Sequence, residues 1–381
     1  MIINTSDALS QFCEALRGAP YIAVDTEFMR ERSYYARLCL VQVAYGEHAA
    51  AIDPLADGLD MSPLRDLLCD PDTVKVLHAA TQDLEIFLTK IGQVPAPVFD
   101  TQIAATVCGL GEQPGYAKLV SELLGVTIDK ASQNTDWSLR PLSRRQLTYA
   151  LGDVTHLCKV YERLVAQLDQ TGRSEWVTEE MAALLDASRY RVDPAEAWRR
   201  IRIRRPSRRS LVILQALAMW REEQAMARDV PRKWVMRDEA LIEIAQNPPK
   251  SSSDLARVRS MKPNVARGDD GAAMLDAVKR ALASPEDSWP TPPKRGPRLD
   301  VSGPLVALLQ TLLNHRCEAH DVAPSIVAKR ADLERIASEE EPDVPALKGW
   351  RRAIFGADAL ELRAGRLALT GGEGAVVDFR R

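Results

Sequence analysis

The sequence predicts an α/β domain built on a mixed sheet flanked by helices, followed by two small all-α modules. Three observations predict it. Strand-like apolar runs alternate with helix-like segments in the first part of the chain. The strand signal largely disappears from about residue 175 onward. The two helical blocks that follow share residues at a nearly constant offset. A length of 381 residues, at roughly 150 per domain, gives about 2.5 domains and fits this division.

Tyr21–Val24 is a short apolar run of β-favouring residues, Leu38–Ala44 a second, and Ala49–Ile52 a third closed by Asp53-Pro54. The gaps between them are short enough for an antiparallel meander. The period then changes. Pro63–Leu68 reads as a helix, Val74–Leu77 as a strand and Leu84–Leu88 as a helix, with further helices over 101–109, 116–124 and 143–169. Residues 1–190 are assigned to this α/β domain.

Between 199 and 209 stand seven arginines and no acid: Arg199, Arg200, Arg202, Arg204, Arg205, Arg208 and Arg209. Helical patterns follow, and the first module is placed at 205–285. Residues 286–300 contain Trp289-Pro290-Thr291-Pro292-Pro293 and Gly296-Pro297, a Pro-rich linker. The second module, 301–381, is expected to be mainly helical, and its Leu367–Thr370 segment has no counterpart in the first. Leu214-Gln215 match Leu309-Gln310 and Arg221 matches Arg316, 95 positions on. Val235, Leu241, Ile244 and Ala245 match Val327, Leu333, Ile336 and Ala337, 92 positions on. The change in offset implies a three-residue deletion, placed in the first loop of the second copy.

Apolar residues make up 46% and charged residues 27%, which excludes wholesale disorder. A net charge of -3 and a pI near 6.1 give no overall basic signal for nucleic acid, while leaving room for a local patch. The start of the chain lacks a basic segment followed by an apolar one, and no apolar run approaches the ~18 residues of a membrane span. The six cysteines are far apart and form no Cys-x-x-Cys pair. They read as reduced thiols of a cytoplasmic protein, neither a disulfide frame nor a zinc site.

Asp25-Thr26-Glu27 closes the first apolar strand. Residues i and i+2 of a strand project from the same face, so two carboxylates point together from the edge of a buried sheet. Desolvation and mutual repulsion make that costly unless cations neutralise them, and hard divalent ions prefer such oxygen donors. Two solvated acids at a strand end would look the same. In Tyr149-Ala150-Leu151-Gly152-Asp153, the phenol and carboxylate are i and i+4 on one helical face. A phenol there can orient a water, and an aromatic core residue beside a solvated Asp is the alternative. Asp83 follows the strand Val74–Leu77 and opens a helix, as a ligand at the sheet edge or as an acid favoured by the helix dipole. His78 is read as a structural, hydrogen-bonded group.

Taken together, Asp25, Glu27, Asp83, Tyr149 and Asp153 resemble the DEDD superfamily of 3′→5′ exonucleases, in its Tyr-x-x-x-Asp subgroup. The resemblance is close to the ribonuclease D family. It is carried by Val24-Asp25-Thr26-Glu27-Phe28, Tyr34-Tyr35, Leu40-Val41-Gln42, His78 to Glu85, Phe99 to Gln102 and Asp136 to Leu142. The helical modules resemble HRDC domains through Leu214 to Leu217, Trp220-Arg221, Val230-Pro231 and Val235, the second copy being more divergent. The resemblance implies a ribonuclease H-like exonuclease fold and hydrolysis of the terminal phosphodiester at a free RNA 3′ end, releasing nucleoside 5′-monophosphates. It implies two divalent metal ions, Mg²⁺ or Mn²⁺, on Asp25, Glu27, Asp83 and Asp153, with Tyr149 orienting the attacking water. Transfer-RNA precursors and other stable RNAs are the substrates it suggests.

For RNA contacts the sequence offers Arg140, Arg144 and Arg145 before the third motif, and Arg204, Arg205, Arg208 and Arg209 in the arginine-rich run. A solvated helix start and a solvated hinge are the corresponding alternatives. Trp220 and Trp234 sit in apolar helical contexts and are expected to pack rather than stack on bases. The expected partner is RNA with a free 3′ end, acted on by a monomer with no membrane association. A DNA 3′→5′ exonuclease of the same fold and a non-catalytic RNA-binding protein are the rival readings. The chain has no Gly-x-x-x-x-Gly-Lys-Ser/Thr loop, and the intact acid set argues against a vestigial site.

Overall fold

A computed structural model of the chain describes residues 1–133, 135–259, 261–292, 302–372 and 375–380. The chain divides into two compact units. One comprises Met1–Glu27, Cys39–Asp186 and Gly296–Arg381, and the other Phe28–Leu38 with Ala187–Arg295.

In the first unit the elements run β1 (Ile2–Ile3), α1 (Ser6–Ala15), β2 (Tyr21–Met29), β3 (Arg37–Tyr45), β4 (His48–Ile52), α2 (Ser62–Leu68), β5 (Val74–Leu77) and α3 (Thr81–Ile91). They continue as β6 (Val98–Asp100), α4 (Thr101–Val107), α5 (Tyr116–Leu124), α6 (Arg144–Thr171) and α7 (Ser174–Ala182). The six strands lie in the order β1-β4-β3-β2-β5-β6. β3 and β4 are antiparallel, whereas β2–β5, β5–β6 and β1–β4 are parallel, so the sheet is mixed as the sequence predicts. Leu38–Ala44 of β3 is buried throughout, which explains its apolar run, broken only by the buried Gln42, in the middle of the sheet. Lys75 is fully buried in β5, and its Nζ donates to the carbonyls of Asp70, Thr73 and Ala96.

α6 is the longest helix, at 28 residues. Ser143 caps it in a reciprocal box with Gln146, and Gly172 ends it in the left-handed conformation. Its Val154, Leu157 and Cys158 pack on Tyr21, Ala23, Ala44 and Val76 of the sheet. That packing lays the Tyr149–Asp153 turn beside the end of β2.

The second unit holds α8 (Arg208–Ala227), α9 (Arg232–Val235), α10 (Asp238–Gln246), α11 (Ser252–Leu255), α12 (Pro263–Arg267) and α13 (Asp269–Ala283). Leu214, Leu217, Leu241, Ile244, Leu255 and Met274 form its core. Gly271 is required where α12 meets α13, because a Cβ there would lie 2.1 Å from the carbonyl oxygen of Ala266. The connection from β2 to β3 belongs to this unit and is clasped by it. The Tyr34 and Tyr35 amides each donate to Asp229 Oδ1 at 3.0 Å, and the Tyr34 hydroxyl donates to the buried Glu222. Burial pushes the Glu222 carboxyl up, but hydrogen bonds from Arg232 and Tyr34 outweigh it and hold it below its ordinary value. The expected linker begins with a 3₁₀ turn at Glu286–Ser288, and its residues 293–300 lie outside the described residues.

The last block holds α14 (Gly303–Ala319), α15 (Pro324–Val327), α16 (Arg330–Ser338) and α17 (Gly349–Arg351), continuing through a π-helical turn into α18 (Ala357–Arg363). α14, α15 and α16 repeat the order of α8, α9 and α10. Contrary to the expected position, the three-residue deletion is not in the loop. The loops 228–231 and 320–323 are equal in length, while α8 has 20 residues and α14 has 17. The loss falls after Arg316, within the helix, where it removes nearly one turn. The block is also not wholly helical. β7 (Leu367–Gly372) and β8 (Ala375–Arg380) form an antiparallel hairpin, which accounts for the unmatched Leu367–Thr370 segment. Trp176 of α7 stacks on Trp350 with centroids 4.8 Å apart and planes at 9°, and Arg351 pairs with Glu180 of α7 at 2.5 Å.

Candidate active site

β2 presents Asp25 and Glu27 from one face, two residues apart, and α6 brings Asp153 against them. One carboxylate oxygen from each of the three lies within 4.8 Å of the others. Asp83, buried in the first turn of α3, does not belong to that trio. It accepts a 2.5 Å hydrogen bond from Thr26 Oγ1, the residue between the two β2 acids. Thr26 and Tyr116 are participants the sequence reading missed. The Tyr116 hydroxyl donates to the main-chain carbonyl of Asp153, fixing that turn of α6. Tyr116 carries no motif, and Thr26 could be singled out only as the middle residue of Asp-x-Glu.

The electrostatics of the four acids have a common cause. Burial, then the charge of Asp153, raises Asp25 to about 7. Burial, then Asp25, Asp153 and Asp83, raises Glu27 to about 9. Burial and Asp25 raise Asp83 to about 8 despite the Thr26 hydrogen bond. Burial raises Asp153 to about 7, opposed by its interaction with the Tyr149 hydroxyl. The protein alone thus resists holding four anions here, and an oxygen-only donor set of this charge fits hard divalent cations. Tyr149 is half-buried beneath Trp137, with ring centroids 6.2 Å apart. Burial and the neighbouring acids push its phenol well above the ordinary tyrosine value, so it stays a protonated donor. His78 is structural in its contacts: its Nδ1 lies 3.0 Å from Thr101 Oγ1.

The arginines divide into two groups. Arg140 is not available to RNA, contrary to expectation. Its Nε and Nη2 grip Asp53 at 2.6 Å, and its remaining donors reach the carbonyls of Cys39, Trp137 and Leu139. With all five N–H groups engaged, none is left for a phosphate. Arg208 is also a correction, since its Nη2 donates to the carbonyls of Glu286 and Trp289 within the helical module. Arg144 and Arg145 are exposed and line a groove of about 560 Å³ with Tyr149, Asp153 and His156. Arg145 there pairs with Asp129 at 2.8 Å. Arg204, Arg205 and Arg209 are exposed on the second unit.

Residues 1–169 match the family described as 3′-5′ exonuclease, and residues 210–278 match the HRDC domain. The ribonuclease D of Gluconacetobacter diazotrophicus is 48% identical over 97% of this chain and 94% of its own length. That of Nitrobacter hamburgensis is 42% identical over 100% of this chain and 99% of its own. The crystal structure of Escherichia coli RNase D, an exoribonuclease involved in structured RNA processing, superimposes with a TM-score of 0.80 at 34% identity, covering 96% of this chain and 98% of that one. The sheet with its carboxylate trio, the HRDC match and these near-full-length similarities agree, and the chain belongs to the ribonuclease D family of 3′–5′ exoribonucleases.

Proposed function

We propose that the chain trims RNA from a free 3′ end one nucleotide at a time, acting on transfer-RNA precursors and other stable RNAs. The convergence of Asp25, Glu27 and Asp153 within 4.8 Å, with Asp83 tied in through Thr26, is the observation that carries this reading. Asp25, Glu27, Asp83 and Asp153 are the residues that would hold two divalent ions, Mg²⁺ or Mn²⁺. Bound there, such ions supply Lewis acidity and neutralise charge developing on the phosphoryl oxygens. The Tyr149 hydroxyl, kept protonated, holds the attacking water in line with the terminal phosphorus. Attack breaks the bond to the 3′ oxygen of the penultimate nucleotide, which takes up a proton, and a nucleoside 5′-monophosphate leaves. Arg144 and Arg145 contact the RNA backbone in the groove beside Tyr149, and Arg204, Arg205 and Arg209 add contacts from the second unit.

In this reading residues 1–190 carry catalysis, 205–285 and 301–381 are HRDC-like modules, and 286–300 joins them. The free state of all six cysteines supports a cytoplasmic setting, with the chain acting as a monomer. Among the described residues no helix is long and apolar enough to cross a membrane. The test is a gel assay on 3′-tailed RNA and DNA with Mg²⁺ or Mn²⁺, then with EDTA. Metal-dependent, stepwise shortening of RNA is the expected result. Shortening of DNA alone, or of neither polymer under either metal, would overturn the proposal.

A further inference from the structure

Trp234 contradicts its sequence context. Trp220, also expected to pack, is buried at 8% exposure, but Trp234 is 58% exposed on the surface of the HRDC unit. A four-residue helix has too little length for its apolar pattern to fix which face is buried. The indole stands in a groove of about 600 Å³ with Lys233, Arg237, Met261 and Lys262, and no acid lines it. The three cationic side chains are exposed, and none is in an ion pair among the described residues. A large π-face among unpaired cations, open to solvent, matches the requirements of single-stranded nucleic acid. Bases stack on the ring and phosphates meet the cations.

The duplication supplies an internal comparison. Ninety-two positions on, Trp234 is matched by Ile326 and Lys233 by Ser325. In that copy Ile326 packs against the module's own core, and its carbonyl accepts from Arg351 Nε at 2.6 Å. At this one position the side chain faces the core in one copy and solvent in the other, although Val235 and Val327 pack inward in both. The outward copy alone carries the aromatic residue and the added lysine.

We propose that Trp234, with Lys233, Arg237 and Lys262, forms a single-stranded RNA subsite in which a base stacks on the indole. This rests on the reading of the chain as an exoribonuclease and names a second contact for its substrate. The test is anisotropy of a labelled single-stranded oligouridylate titrated with the full chain in EDTA, so that binding is read without hydrolysis. Trp234→Ala is expected to weaken binding about 5- to 100-fold, with the salt slope unchanged, since the lost contact is not ionic. Trp234→Tyr should keep most of the affinity. A Lys233→Gln, Lys262→Gln double variant should instead flatten the slope by about 0.7 per charge removed. Wild-type affinity in Trp234→Ala would overturn the subsite and leave the indole to a protein partner. Equal losses in the Ala and Tyr variants, with matching drops in melting temperature, would show a packing role and overturn it too. Failure of the exoribonuclease reading is a separate outcome, seen as intact RNA binding in EDTA with no shortening when metal is restored.

Discussion

At Asp25, burial and a neighbouring acid act in the same direction, and the resulting pKa values predict a pH dependence. A carboxyl raised in the folded state contributes stability that is fully present below its ordinary pKa and is lost as pH rises through the folded one. For values of about 7 for Asp25 and Asp153, about 8 for Asp83 and about 9 for Glu27, the window runs upward from the ordinary carboxylate range. In EDTA the melting temperature should fall between about pH 4 and pH 9. Mg²⁺ should restore it, and the fall should be shallower in Asp25→Asn. A flat profile for the wild type would contradict this charge arrangement. Asp25→Asn should also lose at least 100-fold in RNA shortening while staying folded, whereas Tyr149→Phe, losing only a water-orienting donor, should keep residual activity. Steady-state rates on one RNA check both. Asp25, Glu27, Tyr149 and Asp153 were legible because i, i+2 in a strand and i, i+4 in a helix fix shared faces. The link from Asp83 to Thr26 was not, since it depends on how α3 approaches β2. Nor were the partners of Arg140, which come from Asp53 and Cys39, far away in sequence.

Among the strands of the sheet, those of four residues or more were readable and shorter ones were not, while the helices α1 and α7 were not expected at all. β2, β3, β4, β5 and α6 follow from apolar runs or helical spacing sustained over several residues. β1 and β6 have two and three residues, too few for a period to register, and exist because a neighbouring parallel strand pairs with them. The β7–β8 hairpin was hidden by small residues with no alternation, Gly371 and Gly372 among them. Arg140 matters at this level because it joins the end of β4, through Asp53, to the segment leading into α6. Asp53 is only 6% exposed, so Arg140→Ala would strand a buried carboxylate. The expected cost is about 3 kcal/mol, read as a lower denaturation midpoint, with an unchanged salt slope for RNA binding. A reduced slope with normal stability would instead make Arg140 a phosphate ligand.

Over the whole chain, the net charge of -3 averages local features of opposite sign, an acid cluster and exposed arginines and lysines, which we propose serve cations and phosphate respectively. The last helical block is held to α7 by the Trp176–Trp350 stack and the Glu180–Arg351 pair. Trp176→Ala should therefore lower the melting temperature and speed proteolytic release of the C-terminal block. Unchanged proteolysis would mean the stack does not hold it. The repeat was visible in sequence from matched core positions, but the fate of each copy was not, because surface exposure is decided by what packs alongside. The shortened α14 bears on that divergence. Three residues remove about 4.5 Å of helix and about 300° of rotation, so the chain leaves α14 some 60° out of phase with its exit from α8. The missing stretch is where α8 carries the buried Glu222 that receives Tyr34 and Arg232. That difference in length takes away a polar anchor and shifts the exit from the first helix, so the two helical blocks are not interchangeable parts.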